Sequence, residues 1–385
     1  MKVVLSTPGK FHTFDLAREL YARGVLTAVF TGYPRFKLHN EGVPQKLIKS
    51  FPWVQAAYMA FPWKHQMPQS VIREWEHINA VTAGKWVARN LPECDVYVGL
   101  SGSSLPAGKK ARQFGARYIC DRGSAHIRQQ NQLLLEEHEL WNMPFNAIDS
   151  RVIEREEAEY AEADCITIPS EFSYRTFIEN GIASEKLRLL PYGVDVSRFK
   201  PVGIPDIDRF DILFVGGMSL QKGIQYLVQA YQKIHHKAKS LTFVGAPSPD
   251  LIAHLKKCKL WPEDARVLGH MPQTELKQIM SCSHVLVLPS IQDGFGMVMA
   301  QAMACGCPVI ASHNTGGQDL FVDGHEGYSV PIRNVDAIVD RLQFLADHPD
   351  KRMAMSLRGL DRVRAMGGWN EYGKKAMEIF SDNFQ

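Results

Sequence analysis

Short apolar runs rich in β-branched residues alternate with longer helical patterns along the whole chain. One series occupies residues 3–191, and a second series begins at residue 211 and extends to 330. A parallel sheet covered by helices on both faces needs uninterrupted apolar strands of this kind. A polar, proline-rich stretch at residues 192–208 separates the two series and is typical of a linker. The sequence therefore predicts an α/β protein with two doubly wound parallel-sheet domains that face each other across a cleft.

The composition fits this architecture and excludes several classes of protein. The 385 residues are enough for two domains, and the 45% hydrophobic content is that of a globular chain. The 44 Lys and Arg residues nearly balance the 41 Asp and Glu residues, which argues against a nucleic-acid partner. No apolar run reaches the roughly 18 residues that cross a bilayer, and the amino terminus lacks a secretory signal core. We therefore expect a cytoplasmic protein.

The seven cysteines are expected to be reduced thiols, most of them buried in apolar runs. Cys305 and Cys307 are separated by a single glycine and lack the spacing and the second ligand pair of a zinc site. The sequence therefore predicts neither a structural metal nor a disulfide.

Two common nucleotide-binding fingerprints are absent. No Gly-x-Gly-x-x-Gly pattern follows any predicted strand, which argues against a dinucleotide-dependent dehydrogenase. Residues 102–110 resemble a phosphate-binding P-loop, but the spacing is one residue too long. Lys110 also stands where that motif needs a metal-binding serine or threonine. Any nucleotide site must therefore be built in another way.

The first junction with unusual chemistry follows the strand that begins the second series. Gly216 and Gly217 leave this strand, and Lys222 stands where the next helix opens. Free amide groups and the positive end of a helix favour an anion there, and the lysine adds a full charge. A diphosphate fits this combination. The alternative is an ordinary glycine-rich turn with a solvated lysine.

The second junction combines a carboxylate, a glycine-rich turn and a helix that begins near Phe295. Asp293 precedes the turn, and Gln301 follows eight residues later. The amide groups of the turn are candidates to bind phosphate, and the two side chains are candidates to bind hydroxyl groups. These amides belong to Gly294, Phe295, Gly296 and Met297. The alternative is a helix start with an acidic cap.

Taken together, these motifs resemble the retaining GT-B glycosyltransferases of family 4. The resemblance is strongest from residue 190 onward, where LPYGVD at 190–195 is similar to the family's interdomain signature. Lys222 with Gly223 matches its phosphate-binding turn, and the segment from Asp293 to Gln301 falls on its two-glutamate motif. Residues 314–317 and 369–370 match a later glycine-rich loop and the start of its terminal helix. The first 190 residues match only in general pattern.

The resemblance implies two Rossmann-like domains and a sugar transfer with retention of configuration. The expected domains are residues 1–195, to which 366–385 return, and residues 196–365. The donor would be a nucleotide-diphosphate sugar, the acceptor a hydroxyl group of a glycan or lipid-linked glycan, and no metal cofactor would be needed. Polysaccharide or lipopolysaccharide assembly is the expected setting. In this family the first motif acid contacts the donor sugar and the second the ribose.

The chain departs from the family pattern at three positions. Asp293 and Gln301 replace the two glutamates, so a shorter carboxylate remains and the second charge is lost. Gly217 stands where a basic residue is common, which leaves Lys222 with more of the diphosphate charge or with help from the other domain. Two other hypotheses therefore stay open: a binding partner without catalytic activity, and a nucleotide-sugar epimerase of the same fold.

The first domain is expected to complete the site with loops that follow its strands. Gly9, Lys10 and His12 follow the first strand, where the family has a glycine-rich loop near the donor phosphates. A later strand is followed by Asp121, Arg122 and His126, where family members carry a histidine near the sugar. We predict His126 as the catalytic histidine, together with Asp293 and Lys222, although Asp121 or Arg122 are alternatives for its place. The alternative is that His126 is an ordinary polar residue on the surface of the loop.

Residues 33–65 mix aromatic and basic side chains and contain a single acid, Glu41. The aromatic residues are Tyr33, Phe36, Phe51, Trp53, Tyr58, Phe61 and Trp63. This mixture suits peripheral contact with the inner face of a membrane or a lipid-linked acceptor, or a helical hairpin whose aromatic residues pack inward. The acidic run at 153–162 is expected to be the solvated face of a helix.

Overall fold

The computed structural model describes residues 1–61, 67–145 and 147–382, and it contains two parallel β-sheets. The first sheet has the strand order β3-β2-β1-β4-β5-β6-β7. Its strands are β1 (Val3–Thr7), β2 (Leu26–Thr31), β3 (Ile48–Ser50), β4 (Val96–Leu100), β5 (Arg117–Asp121), β6 (Cys165–Ile168) and β7 (Leu187–Leu189). The second sheet has the order β10-β9-β8-β11-β12-β13. Its strands are β8 (Phe210–Val215), β9 (Lys239–Val244), β10 (Arg266–Val267), β11 (Val285–Leu288), β12 (Val309–Ser312) and β13 (Gly327–Val330).

Helices cover both sheets. Those of the first half are α1 (Thr13–Ala22), α2 (Trp53–Ala60), α3 (Gln69–Asn90), α4 (Leu105–Gln113), α5 (Ile127–Leu140), α6 (Ser150–Glu162) and α7 (Glu171–Glu179). Those of the second half are α8 (Ile224–Lys233), α9 (Pro249–Lys257), α10 (Gln273–Cys282), α11 (Met297–Ala304), α12 (Gly317–Leu320), α13 (Val335–Asp347), α14 (Pro349–Ala365) and α15 (Gly368–Ser381). Every residue of β1 and β11 is buried, as central strands of a sheet covered on both faces require. The prediction of two doubly wound parallel-sheet domains is confirmed.

The chain crosses between the two sheets twice, and the two crossings touch. The first crossing follows Leu189, and the second leads into α15, which packs on α1 of the first sheet. Arg23 of α1 donates to the backbone oxygen of Asn370 at 2.9 Å. A side chain at Gly193 would place its Cβ 2.4 Å from the backbone of Gly368, so only glycine lets the crossings approach this closely.

A buried carboxylate ties the two domains together beside the cleft. Glu137 of α5 is fully buried, and it accepts hydrogen bonds from three residues of the second domain. These donors are Gln225 Nε2, Tyr226 Oη and Arg333 Nε, each at 2.7 Å. A charge removed from water is tolerated only when it is paired and hydrogen-bonded in this way. The contact therefore helps to set the orientation of the domains.

The acidic helix α6 departs from the sequence prediction. Glu156 and Glu159 are buried instead of solvated. The Glu159 carboxylate accepts from the amides of Gly102, Ser104 and Leu105, where α4 begins, at 2.6 to 3.1 Å. An anion is favoured at this position because the first amides of a helix have no intrahelical partner. The P-loop-like segment thus binds the chain's own carboxylate.

Five of the seven cysteines are buried, and Cys258 is exposed.

In the described part of the chain, no helix has both the length and the apolar character needed to span a membrane.

Candidate functional site

A cavity of about 850 Å³ lies between the carboxyl ends of the two sheets. The first domain contributes residues that follow β1, β4 and β5, among them Lys10, Phe11, His12, Ser101, Arg122 and Gly123. The second domain contributes Gly216, Gly217, Lys222, Asp293, Phe295, Gly296, Met297 and Gln301. Loops that follow parallel strands meet at one edge of a sheet, which explains why residues far apart in sequence converge here. The two motif-bearing junctions therefore face one common space.

The two junctions of the second domain are in direct contact. Lys222 Nζ lies 2.5 Å from Asp293 Oδ2, and both side chains are only partly exposed. The backbone amide of Ile291 donates to the carbonyl of Gln221 at 2.8 Å, which holds the two loops together. Lys222 ends a short turn that Ser219 caps by accepting from its amide. The lysine is therefore fixed at the opening of α8, beside the carboxylate of the next junction.

The first residues of helix α11 line the cavity. The helix begins at Met297, two residues later than the sequence suggests, because Gly296 adopts a left-handed conformation with φ of 76°. Amides of a first helical turn have no intrahelical acceptor and therefore favour an anion. Gln301 lies one turn further along and also lines the cavity. The arrangement can hold phosphate oxygens at the helix start and hydroxyl groups beside it.

A buried histidine–carboxylate pair belongs to the first domain. His12 Nε2 lies 2.6 Å from Asp121 Oδ2, and Asp121 Oδ1 accepts from the hydroxyl of Thr167 at 3.0 Å. Asp121 does not line the cavity itself but fixes the imidazole of His12, which does. The bond occupies Nε2 and leaves His12 Nδ1 without a partner among the described residues. A histidine oriented in this way can exchange a hydrogen bond with a ligand.

The expectation that His126 faces the cleft is wrong. Its side chain is 2% exposed, caps α5 by accepting from the amide of Arg128, and packs against the rings of Tyr160 and Phe177. Burial lowers the pKa of His126 to about 4, so it is neutral near pH 7. The turn after β5 carries this residue into the core of the first domain, away from the cavity. His12 is the histidine that reaches the cavity.

Three other predicted residues have supporting positions. Gly294 lies against the first domain, where its carbonyl accepts from Ser170 at 2.5 Å. Gly9 lies under the ring of Phe11. Arg122 lines the cavity, but its guanidinium is buried and pairs with Glu156 at 2.9 Å. The two glycines therefore shape the loops, and the charge of Arg122 is already paired.

Several cavity residues belong to none of the motifs that the sequence predicts for the site. Phe11 is 59% exposed and has a positive φ of 33°, which is unusual for a residue other than glycine.

The ring of Tyr192 packs on His12 at 4.3 Å, and the buried hydroxyl of Tyr192 has no partner in the described part of the chain. Burial raises the pKa of Tyr192 well above its usual value. Burial also raises the pKa of Asp15, against the opposing effect of Arg18. Tyr192 belongs to the interdomain signature at 190–195. Its place in the cavity depends on contacts with residues far away in sequence, such as His12 and Phe295.

The aromatic and basic segment of the first domain is partly packed and partly exposed. Phe51 stacks on Trp86 at 5.1 Å, whereas Phe36 and Trp53 are 68% and 74% exposed. The exposed cations are Arg35, Lys37, Lys46 and Lys49. The side chain of Tyr58, and residues Trp63 and Lys64, lie outside the described part. The inward-packed alternative therefore holds for Phe51 but not for Phe36 and Trp53.

Comparison with known sequences finds a family match in the second domain. Residues 209–348 match the family described as "Glycosyl transferases group 1". The alpha-maltose-1-phosphate synthase of Mycolicibacterium smegmatis is 26% identical over 215 residues, or 53% of this chain and 55% of that protein. An uncharacterized glycosyltransferase of Methanocaldococcus jannaschii is 32% identical over 178 residues, 45% of this chain and 40% of that protein. The chain thus spans about half the length of the curated relatives that it matches, or less.

Solved structures match the whole chain in fold. Sucrose-phosphate synthase from Thermosynechococcus elongatus has a TM-score of 0.76 and 21% identity, and the match covers 99% of this chain and 98% of that one. Anabaena HepE in complex with UDP and glucose has a TM-score of 0.73 and 14% identity, with 99% of both chains covered. At these identities the likeness shows the fold alone. The chain therefore has the two-domain GT-B architecture, and its residues 209–348 match the group 1 glycosyltransferase family.

Proposed function

We propose that the protein transfers a sugar from a nucleotide-diphosphate donor to a hydroxyl group of a glycan or lipid-linked glycan. One observation carries the proposal: Lys222 and the first residues of α11 line the same cavity, which the first domain closes from the opposite side. Breaking the glycosidic bond of the donor develops negative charge on the departing diphosphate. Fixed positive groups aimed at that charge are the main means of lowering such a barrier.

In this proposal each cavity residue has a distinct task. Lys222 and the amides at Gly296 and Met297 bind the diphosphate, Asp293 orients the donor sugar, and Gln301 binds the ribose. His12, held by Asp121, takes the place near the sugar that the sequence analysis gave to His126. The family resemblance supports retention of configuration, with the departing phosphate as the acceptor of the hydroxyl proton. The family resemblance also supports transfer without a metal, with the positive charge supplied by cationic side chains and backbone amides of the cavity.

A donor panel tests the proposal. A ligand that binds only the folded state raises the melting temperature, so UDP- and GDP-sugars are screened by thermal shift. UDP-glucose is the first choice, since a structural neighbour binds UDP and glucose. We expect a bound donor to be hydrolysed slowly and to be transferred when an acceptor is present. A donor that binds without turnover indicates the non-catalytic partner, and a changed sugar without acceptor indicates the epimerase.

We expect His12→Ala to lower kcat by about tenfold to a hundredfold, the effect of losing one hydrogen bond to a reacting group. The measurement is donor turnover per folded molecule. His126→Asn is the matched control, because asparagine also caps helices and His126 lies outside the cavity. Equal turnover in wild type and His12→Ala contradicts the assignment, as does a larger loss in His126→Asn.

We further propose that the first domain contacts an anionic membrane surface at the cytoplasmic side through Phe36, Trp53 and the neighbouring cations. Apolar side chains that enter the interface and lysines that attract anionic lipids act together, at about 1 kcal/mol per basic residue. We expect the protein to sediment with phosphatidylglycerol vesicles but not with phosphatidylcholine vesicles. The double variant Phe36→Ser/Trp53→Ser should lose this binding.

The control for membrane binding is Ile204→Ser, because Ile204 is 87% exposed but lies in the linker. That variant should sediment like the wild type. Equal sedimentation of the double variant and the wild type, or equal binding to both vesicle types, rules out this surface.

A further inference from the structure

The cationic side chains that line the cavity are unequally available to a ligand. In the described part of the chain they are Lys10, Arg122 and Lys222. The charge of Lys222 is offset by Asp293 at 2.5 Å, and Arg122 is buried against Glu156. The side chain of Lys10 is 53% exposed. Lys10 is therefore the cation that can most easily turn toward a ligand.

The second domain alone does not balance the charge of a diphosphate. Its two charged cavity residues, Lys222 and Asp293, cancel, which leaves only the partial charges of the α11 amides. Gly217, at the turn before the lysine, contributes no side chain. A ligand with more than one negative charge thus needs a further cation from the opposite wall.

The geometry of the loop after β1 places Lys10 on that opposite wall. Pro8, Phe11 and His12, its neighbours in the chain, also line the cavity. Lys10 Nζ pairs with Glu41 at 2.5 Å. Glu41 also lies 3.6 Å from Arg18 Nη1, a guanidinium that it shares with Asp15, so Glu41 keeps a cationic neighbour when Lys10 moves away. Lys10 can therefore change partner while Arg18 remains beside Glu41.

We propose that Lys10 supplies the second cation for the donor diphosphate, so that the two domains hold it jointly. This inference rests on the proposed function. Because one ligand is then bound by Lys10 of the first domain and Lys222 of the second, donor binding favours the closed arrangement of the domains. Lys10 thus supplies, from the first domain, the positive charge that is missing at Gly217.

Calorimetric binding of UDP and GDP tests the proposal, with the nucleotide that the wild type binds used for all variants. We expect Lys10→Ala to raise the Kd on the order of tenfold and to weaken its dependence on salt, the scale of one charged hydrogen bond. Lys10→Arg should bind like the wild type. Lys109→Ala is the matched control, since Lys109 is 58% exposed and pairs with Glu162 in the same domain but outside the cavity. It should also bind like the wild type.

A positive charge introduced at Gly217 of the second domain gives a second test of the same binding affinity. A Cβ at Gly217 would meet no atom within 4 Å, so Lys10→Ala/Gly217→Arg can present a guanidinium to the cavity. We expect this double variant to recover most of the lost affinity. The proposal is overturned if Lys10→Ala binds like the wild type, or if neither Lys10→Arg nor the double variant restores binding. A wild type that binds neither nucleotide instead defeats the proposed function.

Discussion

Replacing Lys222 by alanine is expected to weaken donor binding by about 1.5–3 kcal/mol, the scale of a hydrogen bond to a charged group. The loss has two parts in this site. First, the diphosphate loses its cation in the second domain. Second, the Asp293 carboxylate, which lies 2.5 Å from Lys222 Nζ in the wild type, becomes unpaired and repels the diphosphate. The measurement is the Kd of the nucleotide-sugar together with kcat/KM for transfer.

Lys233→Ala is the control for this variant, because Lys233 ends α8, the helix that follows Lys222, and forms its ion pair with Asp336 on the surface. It should bind the donor like the wild type. Unchanged donor affinity and turnover in Lys222→Ala would defeat the assignment of the diphosphate site. A restored affinity in Lys222→Arg would show that the charge is what matters.

The second large effect is expected from Gly294→Ala, which adds a single methyl group at the contact between the domains. The new Cβ would lie 2.0 Å from the carbonyl oxygen of Gly123, so the domains must separate. Misplacing reacting groups by about 1 Å costs on the order of a hundredfold in rate. We therefore expect kcat to fall about a hundredfold and the radius of gyration from X-ray scattering to rise, while both domains remain folded.

The matched control for the domain contact is Gly359→Ala. Gly359 lies within α14, and a Cβ there would have only ordinary contacts, at 3.6 Å and beyond. This variant should keep the turnover and the scattering profile of the wild type. Wild-type turnover in Gly294→Ala would show that the closed arrangement is not needed for transfer.

The sequence predicted the two sheets and the two loops of the second domain well, because these depend on local patterns. Apolar runs and helical periodicity record which segments are covered on both faces. Lys222 and Asp293 lie in loops that follow strands β8 and β11, and parallel strands end at one edge of a sheet, so their convergence follows from topology. The departures at Gly217 and Gln301 are also visible without coordinates.

The loops of the first domain were less predictable, as the histidines show. His12 and His126 each follow a strand and precede a helix, so the local pattern treats them alike. Packing against Tyr160 and Phe177 buries one, and the carboxylate of Asp121 orients the other toward the cavity. Similarly, the acidic pattern of α6 gives no sign that Glu159 binds the amides of α4, since those amides lie more than fifty residues away in sequence.

The architecture and the residue types of the two loops that we propose bind phosphate could be predicted from the sequence, because periodicity and strand-to-helix junctions are local properties of the chain. Three features depend on long-range packing: which side chains of the first domain reach the cavity, how Glu137 joins the domains, and that Lys10 lines the same cavity as Lys222. The physical reason is that burial and pairing of a charge depend on groups brought together by folding, and neighbours in sequence do not specify them.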